Sequence, residues 1–105
     1  MEQDALQQLQ HWCLAQCDGD WEHSYGVKID TLYNPGWSLA VDLTGTSLED
    51  VTFDKVTRGA VAGELTENQD WLICEVKEKT FTGAGGPKNL NALIGTFLAW
   101  ANNHA

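Results

Sequence analysis

The chain has 105 residues and a formal net charge of −9, from 15 Asp and Glu against 6 Lys and Arg. At 43% hydrophobic and 20% charged residues it has the composition of one self-folding domain, residues 1–105, and not of a disordered, collagen-like or low-complexity chain. A surface so negative repels phosphate backbones and anionic lipid headgroups, so neither nucleic acid nor a membrane is an expected partner.

The start, Met1-Glu2-Gln3-Asp4, lacks the basic residues and apolar run of a secretory signal. No later stretch approaches the roughly 20 apolar residues of a membrane span, and a cytoplasmic location is expected. Cys13, Cys17 and Cys74 are odd in number and read as reduced thiols.

Leu6, Leu9, Cys13 and Cys17, flanked by Ala5 and Trp12, recur at three- and four-residue spacing and predict an amphipathic helix over residues 2–16. Asp18-Gly19-Asp20 stops it, since Gly accepts the left-handed geometry of a helix end. Alternation then begins: Tyr25, Val27 and Ile29 share one side, Lys28 and Asp30 the other. Asn34-Pro35-Gly36 is a turn signal, and Trp37, Leu39, Val41 and Leu43 alternate after it, so 25–32 and 37–43 are expected to form an antiparallel hairpin. Val51, Phe53 and Val56 suggest a third strand before a polar stretch, 58–69. Residues 71–76 form an apolar run with Leu72, Cys74 and Val76 on one face and Trp71 and Ile73 on the other, consistent with a strand covered on both sides. A glycine loop is expected at 82–87. Leu90, Leu93, Ile94, Phe97, Leu98 and Ala101 then trace the apolar stripe of a closing helix that packs on the sheet. The expected fold is α+β: an N-terminal helix, roughly four antiparallel strands in a meander, and a C-terminal helix, with one sheet face left open.

The densest chemical cluster is Cys17-Asp18-Gly19-Asp20-Trp21-Glu22-His23-Ser24-Tyr25-Gly26. Alternating carboxylates suit hard cations, but a calcium loop counted from Asp18 needs Gly and Glu where His23 and Ile29 stand, so no metal is assigned. Cys13 and Cys17 lie four apart with His11 and His23 near, yet they follow an apolar stripe and read as core. Catalysis by Cys17 is disfavoured by Asp18 and Asp20, which raise its pKa, and Cys74 sits in an apolar strand before Glu75. The run from Gly83 to Asn89 matches neither the phosphate nor the dinucleotide loop, and reads as a tight loop with Asn89 near a helix cap. Glu22, His23 and Ser24, as neighbours along a strand, face opposite sides and cannot cooperate, whereas Asp20 and Glu22 could share a face. No cofactor is implied. What remains is acidic and aromatic: five tryptophans are more than the core plainly needs, and aromatic anchors ringed by charge concentrate binding energy.

The segment from Cys17 through Ile29, continued by Thr31-Leu32 and Asn34-Pro35-Gly36-Trp37, resembles the immunity protein 53 family of bacterial polymorphic toxin systems. Val41-Asp42-Leu43, Thr44-Gly45-Thr46, the stretch from Trp71 to Cys74, the Gly83 to Pro87 loop and the closing Phe97-Leu98-Ala99-Trp100 fit as well. The resemblance implies a non-catalytic antitoxin that binds and neutralises a cognate toxin domain. Many such toxins are nucleases with cationic grooves, which an acidic protein can occupy as a phosphate mimic. The expected recognition residues are Asp18, Asp20, Trp21, Glu22, His23 and Tyr25, with Trp37 as an apolar anchor. The competing reading is a small enzyme or metal-binding domain built on the Asp18 to His23 cluster.

Overall fold

The computed structural model describes residues 4–33, 35–59 and 70–104. Asn34 of the expected turn, the start of the first expected helix and most of the polar stretch at 58–69 lie outside them.

The first helix, α1 (Ala5–Gln16), begins at a capping box: Asp4 Oδ1 accepts from Gln7 N–H at 2.8 Å and the Gln7 side chain reaches back to Asp4 N–H. Its inward face differs from the expected stripe. Leu9 is buried, and Ala5 and Trp12 pack against the core, while Leu6 and Leu14 stay 50% and 70% exposed. The residues expected as flanks therefore carry the docking, because α1 leans on the C-terminal helix rather than lying flat on the sheet. A single helical turn, α2 (Trp21–Ser24), follows, where the sequence suggested a strand approach.

Among the described residues, five antiparallel strands make one sheet: β1 (Val27–Leu32), β2 (Gly36–Asp42), β3 (Val56–Arg58), β4 (Leu72–Lys77) and β5 (Thr80–Gly85). The hairpin β1–β2 pairs Val27 with Val41 and Ile29 with Leu39, as expected. Val51 and Phe53 pack on the core ahead of β3 but lie outside it. The spatial order is β1-β2-β5-β4-β3, so this is not a simple meander: the chain crosses from β2 to the far edge at β3 and returns through β4 to the centre.

The expected glycine loop is corrected by this order. Thr80–Gly85 is the central strand, paired with both β2 and β4. Glycine in a strand interior marks close approach. A Cβ on Gly83 would stand 3.0 Å from Leu93 Cδ2, one on Gly85 would meet Trp71 O at 3.2 Å, and one on Gly36 would collide with the Gly85 carbonyl. These strands are glycine-rich so that the helix above and the strand beside can come near.

That helix is α3 (Leu90–Asn103). Asn89 stands at its N-cap position, but its side chain is drawn inward, donating Nδ2–H to Trp71 O at 2.8 Å and Asp70 Oδ1 at 3.1 Å. Leu93, Ile94, Phe97 and Ala101 are buried over Leu39, Val41, Leu72, Cys74 and Phe81. An aromatic chain binds the layers: Trp12 to Phe97 at 4.9 Å, Phe97 to Phe81 at 5.2 Å, and Phe53 to Phe81 and Trp100 at 5.3 and 5.2 Å, all edge-on. Each such pair adds about 1 kcal/mol beyond area burial. The other sheet face presents Lys28, Asp30, Ser38, Ala40, Thr82, Ala84, Ile73 and Glu75, and neither α1 nor α3 covers it.

Candidate functional site

The chain leaves α1 at Cys17 and turns through Gly19, whose φ of +97° is open to glycine at little cost. Two carboxylates lock this loop from opposite sides. Asp18 Oδ1 accepts from the backbone N–H of Asp20 and Trp21, each at 2.9 Å, and the Glu22 carboxylate accepts from those of Asp18 and Gly19 at 3.0 Å. The N–H of Trp21, followed by that of Asp20, holds the Asp18 carboxyl below its ordinary pKa. Glu22 is also lowered, first by its own N–H and then by those of Gly19 and Asp18, against partial desolvation. Both remain ionised and exposed while serving the backbone.

Glu22, His23 and Ser24 occupy one helical turn and not a strand, and the Glu22 carboxylate points back onto the loop amides. Asp20, His23 and Tyr25 are exposed. Trp21 is not: 6% of it is accessible, its indole N–H donates to Thr44 O at 2.9 Å, and its ring meets Trp12 edge-on at 6.2 Å. Tyr25 lies tilted on that ring at 6.2 Å, with 40% of its surface open.

Hydrogen bonds gather further segments around this loop. Asp42 N–H donates to Gly26 O, and Asp42 Oδ2 accepts from Gly26 N–H, both at 3.0 Å. Leu43 N–H donates to Lys79 O, and Lys79 Nζ donates to Glu49 at 3.1 Å, which raises the lysine's pKa. One end of the sheet thus collects Asp18, Asp20, Glu22, Asp42, Glu49, Asp50 and Glu78, with Lys77 and Lys79 as the cations. The tight β4–β5 turn contributes Glu78 and Lys79, both at positive φ, 53° and 61°.

Six of the residues singled out from the sequence, Asp18 to Tyr25, belong to this end. Trp37 does not. It begins β2 at the opposite end, half-buried, with its N–H donated to Pro87 O at 3.2 Å, and some 17 Å of strand separates it from Asp42. Asp42, Glu49, Asp50 and Glu78 were missed; the hairpin register alone would have set Asp42 beside Gly26, while the others needed the strand order. The tryptophans prove to be mainly internal: Trp21, Trp71 and Trp100 are buried, Trp12 and Trp37 half-buried.

All three cysteines are free thiols. Cys17 donates its S–H to Cys13 O, and its pKa is raised by desolvation first and then by Glu22. Burial pushes Cys74 up to about 11. Among the described residues, no group of three or more His, Cys, Asp and Glu side chains is arranged to hold a metal ion. No helix among them is long and apolar enough to cross a membrane.

Fold and charged end together define a small acidic α+β domain whose helices cover one face of a five-stranded antiparallel sheet. The chain belongs to the immunity protein 53 family, whose family model matches residues 6–102. Membership makes it an immunity protein and implies a toxin partner. No curated protein and no solved structure matches the chain.

Proposed function

We propose that this immunity protein binds and neutralises a cognate toxin domain one-to-one, in the cytoplasm, by setting its acidic end into a cationic groove of the toxin, as a nuclease would offer. The observation that carries the reading is the imbalance at that end, among the described residues seven carboxylates against Lys77 and Lys79, of which Lys79 is engaged by Glu49. Fixed charge on a locked loop meets a groove without the cost of ordering it, and its long-range field speeds encounter. Asp20, His23 and Tyr25 offer exposed polar and aromatic contact, Asp18 and Glu22 add charge while shaping the loop, and Trp21 supports them from beneath. Trp37, at the far end of β2, would join as an apolar anchor only in a contact that extends along that strand.

The test begins with the toxin encoded beside this gene: co-expression should rescue growth. With purified partners, the association rate should fall steeply between low and physiological salt. Asp20→Lys and Asp50→Lys, on carboxylates that hold no loop hydrogen bond, should each slow association by about tenfold at low salt while leaving the fold intact. Rescue together with a salt-independent rate would preserve immunity and reject groove mimicry; failure of a folded, abundant protein to rescue would reject the whole reading.

A further inference from the structure

We propose that β1 pairs antiparallel with β1 of a second copy about a two-fold axis at Ile29, joining two sheets into one of ten strands. The sheet has two edges. At one, β3 is three residues long, preceded by Lys55 and ending in Arg58, the blunted form that discourages pairing. The other, β1, has six residues with neither a proline nor a bulge.

The hydrogen-bonding phase of β1 is fixed by the Gly26–Asp42 pair. Lys28, Asp30 and Leu32 turn their backbone groups toward β2, and Val27, Ile29 and Thr31 turn theirs outward. All three outward residues are β-branched. A two-fold at Ile29 sets Ile29 against its own copy and Val27 against Thr31, completing about six backbone hydrogen bonds. It also sets Lys28 opposite Asp30 of the other copy, twice, in the closer type of cross-strand pair. Lys28 and Asp30 are exposed and form no ion pair among the described residues. The same symmetry brings Tyr25 beside Tyr33, which is fully exposed.

Above the seam, an apolar groove of about 400 Å³ runs between α1 and β1, lined by Leu6, Leu9, Cys13, Leu14, Val27 and Ile29. Among the described residues, three of the five exposed large hydrophobic side chains, Tyr25, Ile29 and Tyr33, lie on β1 or beside its ends, and the other two, Leu6 and Leu14, line this groove. Continuing the sheet roofs the seam with α1 of both copies. The two acidic ends then point in opposite directions and meet the seam only at Tyr25, so this association is measured without toxin.

Sedimentation velocity of the full-length protein should give about twice its 11.6 kDa mass. Lys28→Asp and Asp30→Lys, each placing like charges across the seam, should weaken the dimer by about tenfold or more, with circular dichroism unchanged. An equimolar mixture of the two variants should recover the dimer, because each then faces its opposite. In the wild type, the amides of Val27, Ile29 and Thr31 should be protected from hydrogen exchange. A wild-type protein that sediments near 11.6 kDa at all concentrations, a dimer indifferent to both substitutions, or rapid exchange at those three amides would overturn the pairing.

Discussion

At Asp18 and Glu22 a small set of hydrogen bonds decides the shape of a loop. Both carboxyls have pKa values lower in the folded chain than in the unfolded one. Their contribution is therefore complete above the ordinary carboxylate range and is lost as pH falls through the lower, folded values. Followed by NMR, the amides of Gly19, Asp20 and Trp21 should keep their folded shifts at pH values where exposed carboxylates have begun to protonate, then change together. Midpoints at the ordinary Asp and Glu values would show that the bonds do not hold in solution. Sequence spacing found these residues but not what they do. Three carboxylates at alternate positions look like a ligand set until the backbone amides between them are seen to take two of the three.

At the scale of elements, α3 approaches β5 closely at Gly83, and that approach depends on a missing side chain. Gly83→Ala would put a methyl group 3.0 Å from Leu93 Cδ2 and 3.4 Å from Cys74 Sγ, in a layer already filled by Phe81 and Phe97. Overpacking of this kind costs about 1–3 kcal/mol. Thermal unfolding should show the drop, and Gly83→Ala combined with Leu93→Ala should lose less than the two single losses added. This element was also the hardest to read. Thr80 to Gly85 carries one large apolar residue, Phe81, and its glycines signal a turn by every local rule; only a helix pressed on the sheet makes them a strand. The first hairpin, by contrast, was legible because Trp37, Leu39 and Val41 alternate against Val27 and Ile29 across a proline turn.

For the whole molecule, Trp21 joins the acidic end to the core. Its ring contacts Trp12, which contacts Phe97, and its N–H ties α2 to the loop after β2. Trp21→Ala should cost about 3–5 kcal/mol of stability, as for other buried aromatic truncations, and denaturant titration checks it. Any loss of partner binding in that variant should track the unfolded fraction and return at low temperature or with stabilising osmolyte. A loss that persists in the fully folded variant would mean that the indole itself touches the partner. The α+β class, the helix at each end and the open sheet face could be read from periodicity. The assembly of Asp42, Glu49, Asp50 and Glu78 with the α1–α2 loop could not, since it follows from pairings between distant strands.

The position of β2 beside β5 also bears on synthesis. Residues 36–42 leave the ribosome well before residues 80–85, their central neighbour. Until that last strand emerges, the first hairpin has one unpaired side and no helix over its apolar face, and hairpins alone are marginal in water. The nascent chain therefore waits, partly open, and the acidic end, drawn from three separated stretches, is finished only when nearly all of the polypeptide has been made. A truncated product would lack the completed end rather than carry a weakened form of it.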